Sequence, residues 1–459
     1  MSTRVCIGLA GVSFTASFWG FRQSQYQKRL QQLQQVAKSL GFGFTVVPKT
    51  FENAADALTA AKILRQKKAD IVILDVATYP EGKAAGQFIN NTDMPLILWS
   101  RDETIHRTNI GHNSFCGANF LAGCLDVWGR KFRHLYGTAQ SRDFKARLLT
   151  AGRLIGAAKK ARGSNIGLLG EGIVPKFYDI DINAENRKAL LERWNIKFTL
   201  VPIKQLVEYA TSYKTAKVEA ALSDFAGHFT RINIPKDALE KQVRLLLAVK
   251  EITKNNGFDA IAIRCWPEFQ SLYGLWPCAV VSILNDEQLP IACEGDPAGA
   301  LDMLLARQLS KQASTLVDII DWDDNNNSFS IWHCGPTACS WADKAGAGLI
   351  GHNVDGPKTG GGPKQGLPAV VDMNFRRGKV AVFRTLGAID DEFVIQGSLV
   401  NAPKRKISGS FGAVKNASVY AEKVTNNQLR RMIFDRRLPH HYTAVRGHVF
   451  VDEIKSDYS

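Results

Sequence analysis

The chain lacks a long apolar run. No stretch approaches the roughly 18 consecutive apolar residues of a membrane-crossing helix, so no membrane partner is expected. It also lacks a Cys-x-x-Cys pair among its eight cysteines. Nothing in their spacing resembles a small disulfide scaffold, and a reducing, cytoplasmic setting is expected. The opening MSTRVCIGLAG reads as a first strand and not as a signal peptide, because its apolar run is short. There is no phosphate-binding Gly-Lys-Ser/Thr loop and no Gly-x-Ser-x-Gly elbow. The glycine-rich stretch 351–362 does not follow a strand and open a helix with Rossmann spacing, so it is no dinucleotide fingerprint. These absences remove several large enzyme classes.

Basic residues are in excess: 58 Lys and Arg stand against 43 Asp and Glu, a formal net charge of +15. The excess is scattered. Its densest clusters, Lys404-Arg405-Lys406 and Arg430, Arg431, Arg436, Arg437, sit in no zinc-finger or helix-turn-helix pattern. No nucleic-acid partner is expected, while an anionic substrate stays compatible with the charge. With 459 residues, 45% hydrophobic and 22% charged, the chain is an ordinary globular protein of two or three domains.

Apolar runs at 5–9, 44–48, 70–76 and 95–99 alternate with helical periodicity at 25–40 and 54–66. Residues 70–76 are apolar towards both faces, as in a buried parallel strand. After a helix at 144–160 the rhythm resumes with strands at 165–169, 198–202 and 260–264 and a helix at 238–255. Such alternation predicts an α/β class with parallel sheets. Beyond about residue 315 it gives way to short strands, 328–332, 379–384 and 393–399, separated by glycine-rich turns. A helix closes the pattern at 426–435. Three domains follow: 1–155, 156–320 and a β-rich 321–459.

Four constellations carry side chains fit for chemistry. Cys265-Trp266-Pro267-Glu268-Phe269 follows a predicted strand, which places Glu268 at a carboxyl edge where ligands bind. An isolated Glu there is as often a plain surface residue. Cys293-Glu294-Gly295-Asp296 follows the short strand at Ile291. Asp296 there can cap the helix begun by Pro297, yet two carboxylates two residues apart also suit a hard metal. His333-Cys334-Gly335-Pro336 follows the strand 328–332. His440-His441 comes last, with His448 seven residues on. A lone histidine is more often structural than catalytic.

The stretches HNSFCG at 112–117, CWPEF at 265–269, PIACEGDPAGALDMLL at 290–305, WHCGP at 332–336 and PHHYTAVRGHV at 439–449 together resemble the L-fucose isomerase-like family, relatives of L-arabinose isomerase. The resemblance implies two Rossmann-like parallel-sheet domains followed by a β-barrel-like C-terminal domain. It implies a divalent ion, usually Mn2+, held by Glu268, Asp296 and one of His440 and His441, with His441 favoured. It implies a trimeric or hexameric homo-oligomer and a free sugar as substrate, interconverted between aldose and ketose through an enediol. Glu268 and Asp296 then double as acid or base. His333, His440 and Trp266 would contact sugar, joined by His112 and Asn113 from a neighbouring subunit. Fucose- or arabinose-configured sugars are the first expectation. Arg264, Arg376 and Arg446 are the arginines nearest the motifs should the sugar be anionic. A sugar-binding protein, or a metal-dependent lyase or epimerase, is the alternative on such a fold.

Overall fold

The computed structural model describes residues 4–14, 21–103, 105–106, 109–172, 177–181, 188, 191–351, 368–385, 393–402, 407–419 and 422–447. His448, the Lys404–Lys406 cluster and most of the glycine-rich stretch 351–362 lie outside them. Two compact units meet in the chain between residues 159 and 160.

The first unit is a parallel sheet of β1 (Cys6–Val12), β2 (Gly43–Val46), β3 (Ile71–Val76), β4 (Leu96–Ser100) and, after the short ladder of β5 (Ile105–His106) and β6 (Asn109–Ile110), β7 (Arg133–Tyr136). Its order is β2-β1-β3-β4-β7. Every residue of β3 is buried, which is why that segment reads as apolar on both faces. The helices Gln23–Ser39 and Ala54–Gln66 supply apolar stripes to separate clusters, one holding Leu33 and Val36, the other Ala57 and Leu64.

The second unit opens with β8 (Asn165–Leu169) and β9 (Lys197–Val201), and continues through β10 (Arg231–Asn233) to β11 (Ala260–Ile263) and β12 (Ile291–Ala292). Four of these form a parallel sheet ordered β12-β11-β8-β9. The helix Lys236–Asn256 ends at Gly257, whose φ of +64° stops it in the left-handed region. Mostly antiparallel strands follow: β13 (Ser314–Asp323), β14 (Ser328–His333), β15 (Gly348–Gly351), β16 (Pro368–Asn374), β17 (Gly378–Arg384), β18 (Phe393–Val400), β19 (Ser410–Val419), β20 (Glu422–Lys423) and β21 (His441–Arg446), with β15 parallel to β10 and β16 parallel to β19. The ring β13-β14-β19-β18-β17-β21 closes back on β13, every pairing antiparallel. The expected class is therefore present: two parallel-sheet layers of Rossmann type, then a closed six-stranded barrel. Closure removes the barrel's edges and packs Val317, Phe329, Ile331 and Val382 into one apolar core.

Candidate metal and sugar site

The barrel's register assembles a polar group from residues far apart in sequence. On β13, Asp318 lies directly opposite His441, the first residue of β21. His333 ends β14, the other neighbour of β13, and its ring centre is 5.4 Å from that of His441. Asp318, His333 and His441 can each offer a ligand atom, all within 4.8 Å of one another. A second such set, Glu294 with His440 and His441, shares His441. A third pairs His333 with Cys293 and Cys334.

His441 is fully buried and clamped from both sides. Its Nδ1–H donates to Asp296 Oδ2 at 3.1 Å, since a carboxylate only accepts. Its Nε2 sits 3.1 Å from Glu294 Oε2 but makes no hydrogen bond. Burial alone would push this imidazole down; Asp296 and Glu294 outweigh it and hold the ring well above its ordinary range.

Asp296 does cap its helix, accepting the Gly299 N–H at 2.8 Å. It is also gripped by Arg384, with Nη1 to Oδ2 at 2.9 Å and Nη2 to Oδ1 at 3.0 Å. Both side chains are completely buried. Burial raises the Asp296 carboxyl, yet Arg384 and His441 hold it well below the usual range. Arg384 lies 3.8 Å from Asp302 as well, and there burial prevails and lifts the carboxyl to about 6.

Glu294 has φ of +60°. For a non-glycine residue that left-handed conformation is uncommon and tends to occur where a site demands it. Burial raises its carboxyl, but His440 and His441 draw it down to about 2. His440 donates backbone N–H and ring Nδ1–H to Asp179, at 2.8 and 2.6 Å, and its Nε2 stands 3.7 Å from Glu294. Phe177 packs against both His440 and Trp266, with centres 5.0 and 5.9 Å apart.

His333 accepts the Cys334 backbone N–H on Nδ1 at 2.9 Å. The neutral ring therefore carries its hydrogen on Nε2, which is buried and without a hydrogen-bond partner among the described residues. Asp318 Oδ1 is likewise buried without a hydrogen-bond partner among the described residues, and buried His441 Nε2 has only the Glu294 carboxylate beside it. The Asp318 oxygen and His441 Nε2, a few ångströms apart, fit a divalent cation, while His333 Nε2–H beside them can only donate.

The expected site residues are thus partly assembled. Asp296 and His441 touch, and His333 and His440 adjoin His441. Glu268 belongs to none of the three ligand sets among the described residues; its Oε1 is 2.7 Å from Arg264 Nη2, and its buried Oε2 has no partner. His112 and Asn113 lie in the first unit, where Glu103 accepts both backbone N–H groups at 2.8 and 2.5 Å. Sequence reasoning passed over Asp179, Asp318 and Arg384. No local signal marks them, since each takes its meaning from a partner more than 80 residues away.

No protein-family profile matches the chain. It is similar to sulfoquinovose isomerases. That of Alkalicoccus urumqiensis is 24% identical over 340 residues, 73% of this chain and 74% of that protein. That of Clostridium sp. (strain MSTE9) is 26% identical over 345 residues, 73% and 74% of the two chains. That of Priestia aryabhattai is 25% identical over 323 residues, 70% and 69%. The likeness is to sugar isomerases, as the motifs implied, but under a name other than fucose isomerase. Among solved structures, a periplasmic solute-binding protein from Actinobacillus succinogenes with bound D-allose aligns at 14% identity over 67% of this chain and 93% of that one. Its TM-score of 0.19 carries no argument.

Proposed function

We propose that the chain is a metal-dependent aldose–ketose isomerase. The buried convergence of Asp318, His333 and His441, with Glu294 beside His441, carries this reading. The likeness to sulfoquinovose isomerases supports it. Moving hydrogen between C1 and C2 of a sugar requires a base for the C2 proton and stabilisation of the charge that grows on two adjacent oxygens. A divalent cation, manganese by ligand type, supplies that stabilisation when bound.

We assign His441 as its central holder, with Asp318 from one of the two ligand sets that share it and Glu294 from the other. Asp296 is a ligand by the family resemblance; with its oxygens on Arg384, Gly299 and His441, its supported role is to fix the His441 tautomer, as second carboxylates do behind metal-bound histidines. Glu268, whose Oε2 has no partner among the described residues, is the proposed base. His333 offers its Nε2–H to a sugar oxygen. His440 and Trp266, joined through Phe177, are proposed to face the sugar, and His112 and Asn113 to contact it from the first unit of a neighbouring copy.

Sulfoquinovose is the first substrate to test, with L-fucose and D-arabinose beside it. Incubation with Mn2+ in deuterated water should give ketose and deuterium at C2, both abolished by EDTA and restored by Mn2+. Glu268→Gln should stop turnover with metal content intact, whereas His441→Ala and Glu294→Gln should lose the metal. If no aldose reacts while metal is bound, the isomerase reading falls and a lyase, epimerase or sugar-binding role replaces it.

A further inference from the structure

The second unit gathers four cysteines that the proposed sugar chemistry does not use. No two of them form a Cys-x-x-Cys pair; the fold brings them together. Cys265 follows β11, Cys293 follows β12 and Cys334 follows β14, while Cys278 opens the helix Cys278–Asp286. All four are free thiols. Cys265, Cys278 and Cys293 are buried, and Cys334 is partly exposed.

Their sulfurs meet in series. Cys293 Sγ lies 3.4 Å from Cys265 Sγ. Cys334 Sγ is within hydrogen-bonding reach of the Cys293 and Cys278 thiols, and His333 Nδ1 lies 3.3 Å from it. Cys293, His333 and Cys334 each offer a ligand atom, all within 4.8 Å of one another. A single buried thiol is an inert, slightly polar hydrophobe. Four sulfurs from four segments, with an imidazole nitrogen against one of them, form a ligand set.

Ligand softness decides what fits. Thiolate sulfur selects zinc and other soft ions, whereas Mn2+ prefers oxygen. Around zinc, sulfurs bonded at about 2.3 Å in a tetrahedron stand about 3.8 Å from one another. The spacings here bracket that value, at 3.4 Å between Cys265 and Cys293 and within 4.8 Å across Cys293, His333 and Cys334. His333 supplies nitrogen through Nδ1, whose lone pair now accepts the Cys334 N–H. An ion on Nδ1 keeps the ring hydrogen on Nε2, so His333 can still donate to a sugar oxygen. His333 is not among the proposed Mn2+ holders, and the two ions need no ligand in common.

We propose that Cys265, Cys293, Cys334 and His333 form a second metal site, for a thiophilic ion of the zinc class. On binding, the three thiols each release a proton to solvent, and a sulfur lone pair from each passes to the ion. The ion ties the loop after β11 and the turn after β12 to the end of β14, and so fastens parallel sheet to barrel within the second unit. Cys334, partly exposed, is its way in. Cys278 lies in an apolar cluster with Trp276 and Val370, against which Cys334 packs, and stays outside the ligand set.

Titration of the Mn2+-loaded full chain with Cd2+ tests this, in a Cys116→Ser, Cys124→Ser background that silences two thiols of the first unit. Thiolate-to-cadmium charge transfer in the ultraviolet should saturate at one ion per chain, with about three protons released. Zn2+ should displace the Cd2+ and abolish the band, and the thermal midpoint should rise with either ion. Cys334→Ser, at the partly exposed position, should weaken Cd2+ binding at least about tenfold and diminish the band. Cys293→Ser should do the same, with circular dichroism checking the fold. His441→Ala, expected to lose Mn2+, should keep the band. No band, more than one ion per chain, an unchanged Cys334→Ser titration or loss of the band in His441→Ala overturns the proposal. The readout is independent of isomerisation: a cadmium band without deuterium uptake would fail the proposed function alone, and turnover without the band would fail this site alone.

Discussion

Asp296 and Arg384 show how much one side chain can be asked to hold. Each is fully buried, and each is the other's principal counter-charge. A buried pair is a modest source of stability, but its rupture leaves a charge with no partner in a dry interior. Asp296→Asn should therefore lower unfolding free energy by about 3–5 kcal/mol, read by urea denaturation. An unshifted midpoint would mean that Arg384 finds another anion. His440 gives a prediction in pH. Burial would depress it, but Asp179 and Glu294 raise it from 6.5 to about 9. The folded state thus binds the proton more tightly than the unfolded one. The stability so gained is complete below 6.5 and is lost as pH climbs through about 9. In metal-free protein the thermal midpoint should fall across that window, and Asp179→Asn should flatten the fall. A slope as steep in the variant would assign the effect elsewhere.

Among the elements, the helix Pro297–Ser310 and the barrel strands place the site. Gly299 lies in the helix's first turn, where alanine would ordinarily add about 1 kcal/mol. Here a Cβ would stand 2.6 Å from Asp296 Oδ2 and 3.0 Å from Arg384 Nη1. Gly299→Ala should therefore destabilise the protein and weaken metal binding, both visible in a titration of Mn2+ against thermal midpoint. A stabilised variant would show that the helix start can shift. The barrel contributes through register: Asp318 meets His441 only because β13 and β21 pair as they do. Phe329 on β14 is 1% exposed in the shared core. Phe329→Ala should cost about 3–5 kcal/mol by urea denaturation and loosen the strand that carries His333. A cost below about 1 kcal/mol would show that the barrel wall collapses around the loss.

At the scale of the whole molecule, the family resemblance leads us to expect a closed homo-oligomer. Phe115 and Tyr136 of the first unit are 56% and 49% exposed and stack edge to face at 5.8 Å, an apolar pair of the kind that subunit contacts cover. Light scattering should give a mass well above 50.6 kDa; a monomer at micromolar concentration would refute the expectation. No helix among the described residues is long and apolar enough to cross a membrane.

The sequence by itself determined the element classes. Strand 70–76 declares itself because a parallel strand covered on both faces must be apolar throughout, and the change of rhythm near residue 315 marks the turn to antiparallel structure. It also singled out the strand-end motifs that contain Glu294, Asp296, His333 and His441 as candidates for chemistry. What it left open was the role of each side chain. Glu294 and Asp296 are two residues apart and alike in composition. Only the +60° φ at Glu294 and the arrival of Arg384 from 88 residues away turn one carboxylate towards His441 Nε2 and lock the other behind Nδ1. Local pattern records whether a residue is buried. Which partner it meets there depends on strand register and chain crossing, and those exist only once the barrel has closed.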